Sequence, residues 1–290
     1  MKLTDLLGLP GRTILADGAW GTQLSASGLS GGVPDAWSLS HPDAVANVAA
    51  CYAAAGAELV LTNTFGASPI KLAKAGIAEW REINRTGVEL SRQGAGPEVL
   101  VFGSIGPTGE LVGLTSTLTE EDLEDSFRQQ AEAMLEAGPD GFVLETFADL
   151  TEIRAALRAV RSVSDLPVAA CLTYDDGARG PATMMGIRPD IAAETLTQEG
   201  ATLVGANCGH LSNEGWRAVV EATAAATDLP VWAKFNAGIP QLVEGKSVFP
   251  MGPEAFADLG VDLIAAGARV VGGCCGTSPD HIAALSARLG

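Results

Sequence analysis

Two of the chain's five cysteines are adjacent, in the stretch Gly272-Gly273-Cys274-Cys275-Gly276-Thr277. The glycines around the pair allow close backbone approach and positive φ. Neighbouring Cα atoms lie about 3.8 Å apart across a trans peptide, closer than the usual disulfide span of about 4.4–6.8 Å. A vicinal disulfide would be strained, so a soft metal held by both sulfurs is the favoured reading. Cys208 supplies a third thiol after a separate apolar run. Three thiolates aimed at one point form a zinc-type donor set, and three protein ligands leave the open fourth position of a catalytic site. The competing reading keeps Cys208 in the core and makes the pair redox-active. Cys51 and Cys171 have no clustered partners and read as buried hydrophobes.

Eight short apolar runs could carry these residues: Thr13–Ala16, Leu59–Thr62, Val99–Phe102, Gly141–Leu144, Val168–Leu172, Thr202–Ala206, Val231–Lys234 and Ala268–Val271. Ala-rich segments with helical spacing separate them. Phe127, Ala131, Met134 and Leu135 mark one buried helical face. Thr119 with Asp122 reads as a capping-box start and Gly138 as a stop. Pro42 and Pro279 sit where a first helical turn tolerates a missing N–H. Eight strand–helix units in a chain of this length predict an α/β fold, a single (β/α)8 TIM barrel over residues 1–290. An open doubly wound sheet shares the rhythm. The barrel is preferred because nearly every run ends in a polar or glycine-rich cluster, and barrel active sites gather at that C-terminal face. In a barrel, strands 6 and 8 flank strand 7, so Cys208 can meet Cys274 and Cys275.

The chain has 290 residues, 47% of them hydrophobic, enough for one large barrel. With 35 acidic and 18 basic residues it carries a formal charge of −17. That excess repels phosphate backbones and anionic lipid, so no nucleic-acid or membrane partner is expected. No run of about 18 apolar residues suggests a span, and Met1 to Pro10 lacks the features of a signal peptide. An odd cysteine count without such a signal predicts a reducing, cytoplasmic setting.

Several strand-end motifs match a known family in combination: Asp17-Gly18-Ala19-Trp20-Gly21-Thr22, Thr62-Asn63-Thr64-Phe65, Ile105-Gly106-Pro107-Thr108-Gly109, Glu145-Thr146-Phe147, Gly205-Ala206-Asn207-Cys208-Gly209, Asn236-Ala237-Gly238 and Gly272 to Thr277. From about Leu15 to His281 the chain resembles the zinc-dependent homocysteine S-methyltransferases, with the flavour of the homocysteine-binding module of cobalamin-dependent methionine synthase. The resemblance implies zinc held by Cys208, Cys274 and Cys275, with homocysteine sulfur in the fourth position attacking an activated methyl group. It also implies that Asp17 and Glu145 accept the substrate's amino group, that Gly18, Ala19 and Asn207 contact substrate, and that Asn236 fills the metal site before substrate arrives. The substrate carboxylate suits backbone N–H groups in the Gly18–Thr22 turn.

The donor stays open at this level. A barrel of this size leaves no room for folate- and cobalamin-binding modules, so methylcobalamin would come from corrinoid and folate partner proteins, making the chain one subunit of a split methionine synthase. Betaine or S-methylmethionine are alternatives as direct donors. A thiol-rich metal-binding or redox protein is the alternative of another class. His210, two residues past Cys208, is not expected to ligate metal. Met184 and Met185 are expected to fill core gaps, and Trp20 and Trp37 to pack.

Overall fold

The structure is a computed structural model that describes Leu3, Leu7, Gly8 and residues 11–110, 116–243 and 246–290. The rest of Met1 to Pro10 lies outside the described residues. Eight parallel strands form one sheet: β1 (Ile14–Leu15), β2 (Leu59–Leu61), β3 (Leu100–Ile105), β4 (Gly141–Phe147), β5 (Val168–Leu172), β6 (Leu203–Asn207), β7 (Val231–Phe235) and β10 (Ala268–Gly273). All eight arise from the expected apolar runs. β2 to β7 pair in chain order, and β10 sits between β7 and β1. The ring closes at β1 and β2, where Ala16 bridges Leu59, Asp17 N–H donates to Leu59 O (2.9 Å) and Glu58 N–H to Leu15 O (2.8 Å). This is the expected (β/α)8 barrel. A short antiparallel hairpin, β8 (Gln241–Val243) and β9 (Lys246–Val248), decorates the loop after β7.

Strand side chains alternate between two cores. Ile14, Leu61, Phe102, Val143, Ala169, Leu203, Trp232 and Val270 point into the barrel. Their neighbours Leu15, Val60, Val101, Leu144, Ala170, Val204, Ala233 and Val271 face the surrounding helices. Phe102 and Trp232 stack inside the ring with centroids 6.2 Å apart. Gly205 lets β6 approach β7: a Cβ there would lie 1.9 Å from Trp232 O.

The helices start as their sequences dictate. Thr119 Oγ1 accepts from Asp122 N–H while Asp122 Oδ2 accepts from Thr119 N–H (2.8 Å), opening the helix Glu120–Leu135. Gly138 follows it at φ +69°. Pro42 and Pro279 occupy the first turns of Pro42–Ala54 and Pro279–Leu289. Among the described residues, no helix is long and apolar enough to cross a membrane.

Two expectations need correction. Cys51 is exposed, not buried, because it lies one turn after exposed Asn47 on the outer face of its helix, while Val45, Val48 and Tyr52 take the inner face. Met184 and Met185 are also exposed, at 75% and 39%. They sit at the tip of a turn closed by Gly186 N–H to Thr183 O (2.8 Å), with Gly186 at φ +80°. Cys171 is buried inside the barrel as expected, and Trp20 and Trp37 pack against the core.

Candidate metal and substrate site

Cys208 follows the last residue of β6, and Cys274 and Cys275 follow β10. β7 lies between and ties them: Cys208 N–H donates to Lys234 O (3.1 Å), Cys274 N–H to Phe235 O (2.7 Å), and Ala237 N–H to Cys275 O (3.0 Å). Thr277 locks the turn by donating through Oγ1 to Cys274 O (2.7 Å). A Cβ on Gly273 would strike that threonine at 2.3 Å, which is why the pair is preceded by glycine.

The three sulfurs lie within 4.8 Å of one another, and Cys208 Sγ and Cys275 Sγ are 3.8 Å apart. A tetrahedral ion with metal–sulfur bonds of about 2.3 Å needs sulfurs about 3.8 Å apart, the separation of Cys208 Sγ and Cys275 Sγ. This is the one cluster of its kind among the described residues. Cys274 favours the Cys208 thiolate, but Cys275 and burial outweigh it and push Cys208 up to about 11. Cys208 likewise favours ionisation of Cys275, yet Cys274 and burial push it up to about 12. The bond to Cys208, then burial, raises Cys274 as well. Three crowded thiols resist ionisation together, and a soft cation among them reverses that preference.

Asn236 joins both halves of the cluster. Its Nδ2 donates to Gly209 O (2.8 Å), beside Cys208, and its own neighbour Ala237 binds Cys275. Its Oδ1 is buried and has no hydrogen-bond partner among the described residues, the state of an atom suited to a metal or ligand contact. His210 instead is exposed and pairs with Asp175, Nδ1 to Oδ1 at 3.1 Å.

The thiols open onto a cavity of about 810 Å³ at the C-terminal mouth of the barrel. Inward-facing residues one step above the apolar layer form its floor: Ser104 above Phe102, Glu145 above Val143, Lys234 above Trp232. Glu145 Oε1 accepts from Ser104 Oγ and Oε2 from Asn207 Nδ2 (3.3 Å). Burial raises the Glu145 pKa, although Lys234 and Ser104 pull it down. Asn207 also takes Thr146 N–H on Oδ1 (2.6 Å) and donates to Thr146 Oγ1 (2.6 Å). Thr146 and Cys208 hold left-handed φ values of +64° and +61° on either side of this asparagine. Non-glycine residues adopt such values at a cost, commonly at functional sites.

Asp17 sits deeper. It is fully buried, pairs through Oδ1 with Lys234 Nζ, and takes Trp20 Nε1 (2.7 Å) and Leu61 N–H (2.8 Å) on Oδ2. Gly18 and Ala19 line the cavity. The Ala19 N–H is already engaged by Thr277 Oγ1 (3.0 Å). Lys234 is the site residue that sequence reasoning passed over. Its signal was present, a lone charge in the apolar strand Val-Trp-Ala-Lys-Phe at the inward parity of Trp232. Toward solvent the cavity is walled by Asp35, Phe65 and Lys71, with the Lys71 ammonium 4.8 Å over the Phe65 ring.

A homocysteine S-methyltransferase family model matches residues 14–289. The chain belongs to this family. Methionine synthase of Mycobacterium tuberculosis is 31% identical over 99% of this chain, and that of Mycobacterium leprae 30%. In both cases the match spans 25% of the relative, so this chain corresponds to about a quarter of those proteins. The homocysteine methyltransferase MmuM from Escherichia coli, in its metallated form, superposes with a TM-score of 0.80 at 27% identity, covering 99% of each chain. The carboxyl transferase domain of Rhizobium etli pyruvate carboxylase, at 18% identity and a TM-score of 0.54, shares the fold alone.

Proposed function

We propose that this chain transfers a methyl group to the sulfur of homocysteine, forming methionine, with Cys208, Cys274 and Cys275 holding zinc. The observation that carries this reading is the convergence of three thiols within 4.8 Å beside a buried carboxylate, Glu145, at the mouth of the barrel. Zinc, when bound, supplies a Lewis acid that favours the thiolate form of a thiol at its fourth position near neutral pH. The chain's residues supply the rest. Glu145 accepts the substrate ammonium, and Asn207 holds Glu145 and Thr146 in register. The predominantly apolar cavity wall excludes water from the attacking sulfur. The sulfur lone pair forms the new S–CH3 bond as the bond from methyl to its carrier breaks, and the thiol proton leaves to solvent.

The cavity is far larger than one small amino acid, which supports a second molecule or a carrier group entering from the mouth. Similarity to one quarter of the mycobacterial methionine synthases supports methylcobalamin as donor, delivered by corrinoid and folate partner proteins. A second reading, a small donor such as betaine or S-methylmethionine, is favoured by the 99% mutual coverage with the E. coli enzyme. In either case the unpaired cysteines suit a reducing cytoplasm.

The test is a parallel assay of the zinc-loaded protein with homocysteine and, separately, methylcobalamin, betaine, S-methylmethionine and methyltetrahydrofolate. Methionine from methylcobalamin is expected. Methionine from betaine or S-methylmethionine alone selects the second reading, and none from any donor sinks the proposed activity.

A further inference from the structure

The solvent-side wall of the cavity is built largely by the loop after β2 and the short helix Pro69–Lys74 that follows it. Ser68 caps that helix, its Oγ accepting from Lys71 N–H (3.3 Å). The Lys71 ammonium stands 4.8 Å over the Phe65 ring and donates to Pro107 O (3.3 Å). The ring also packs on Gly106, where a Cβ would come within 2.3 Å of it. Lys71 has no carboxylate at ion-pair distance among the described residues. Asp35 and Glu152 are near enough to favour its charge, yet both are buried and engaged. Asp35 Oδ1 takes Gly66 N–H (2.7 Å), and Glu152 Oε1 takes Thr108 N–H (2.7 Å). Lys74 lines the same wall but is neutralised by Glu110. What this wall presents to a ligand is a positive charge seated on its aromatic face.

We propose that Lys71 selects the methyl donor by charge: it excludes onium donors, whose methyl group sits on a positively charged nitrogen or sulfur, and admits donors without that charge. This rests on the proposed function and names the class of its second substrate. Onium groups are held by open aromatic faces. Here the Phe65 face is already taken by an ammonium. An arriving cation loses that contact and meets a like charge in a largely apolar cavity, where screening is weak. Trp20, the other aromatic residue lining the cavity, is anchored deeper, through Nε1 to Asp17 Oδ2 (2.7 Å). A donor without fixed positive charge at its methyl-bearing atom meets no such repulsion.

The test measures methionine formation by the zinc-loaded protein from homocysteine with either S-methylmethionine, a sulfonium, or methylcobalamin, whose methyl group is not on an onium centre. The readout is the ratio of kcat/KM for S-methylmethionine to that for methylcobalamin. Lys71→Met removes the charge and uncovers Phe65, and should raise the ratio about 10–100-fold. Lys71→Arg keeps both the charge and the ring contact, and should hold the ratio within about threefold of wild type. An unchanged ratio in Lys71→Met, with both donors falling together as for a merely structural lysine, overturns the proposal. So does an equal rise in Lys71→Arg, which would make shape the selector, and so does a wild type that uses S-methylmethionine at least as well as methylcobalamin. Should Lys71→Met not fold, Lys71→Gln removes the same charge and carries the same expectation. Methionine from neither donor in wild type, with zinc in place, overturns the proposed function and this proposal with it, whereas methionine from methylcobalamin with an unchanged ratio in the variant overturns this proposal alone.

Discussion

In the proposed site Cys208, Cys274 and Cys275 supply three of the four positions around a tetrahedral ion. Losing one leaves two thiols and an open coordination position. Cys208→Ser or Cys275→Ser should reduce zinc from about one ion per reduced chain to a small fraction, read by elemental analysis after dialysis. Full retention would show that zinc binds without these thiols. In the proposed function Glu145 takes the other end of the substrate. Glu145→Gln keeps the shape and one acceptor oxygen, enough for the Asn207 Nδ2 donor, and removes the charge. Homocysteine should then bind about tenfold or more weakly, the loss expected for one ionic hydrogen bond, with zinc content unchanged. Loss of zinc instead would reassign Glu145 to supporting the cluster.

The elements hold these residues through their ends. Thr62 and Thr64 bind each other and the backbone of Ser104, tying the exit of β2 to that of β3. Glu152 makes a similar tie from the first turn of the helix Leu150–Val163, where it accepts from both the backbone N–H (2.7 Å) and the hydroxyl of Thr108. Burial raises its pKa above the ordinary 4.5, and the Thr108 bonds only partly counter this. The sign follows from linkage. A raised folded pKa means the folded state binds the proton more tightly, so the contribution is present below the unfolded value and is lost as pH rises through the folded one. Glu152→Gln stays neutral throughout. The difference in Tm between variant and wild type should therefore move in the variant's favour as pH rises from about 4.5 toward neutrality, measured by thermal melts across that range. A difference that moves the other way would show that the Thr108 bonds to the carboxylate outweigh its burial.

At the scale of the whole molecule, Trp232 is the largest of the side chains that fill the ring beneath the site. Trp232 is fully buried and stacks on Phe102 across the barrel. Trp232→Ala should cost about 3–5 kcal/mol of stability, toward the lower end because the indole N–H it removes is buried without a partner among the described residues. Denaturant titration reads the loss, and a change under about 1 kcal/mol would mean the interior collapses freely onto the gap. The eight strands, the capping of Glu120–Leu135 and the grouping of Cys208 with Cys274 and Cys275 were all legible in the chain, because period-2 apolar runs, caps and glycine-framed strand ends are local signals. The exposure of Cys51 and of Met184 and Met185 was misjudged because residue type stood in for helical face and loop geometry. Asp17 and Lys234 are 217 residues apart. No local pattern states that a carboxylate leaving the first strand meets an ammonium on the seventh. Only closure of the ring brings β1 and β7 to either side of β10, and there the cost of leaving either charge unpaired makes the pairing obligatory. The chain by itself determined the barrel and which residues reach its mouth. The tertiary structure decided which of them bind each other and which remain to face a ligand.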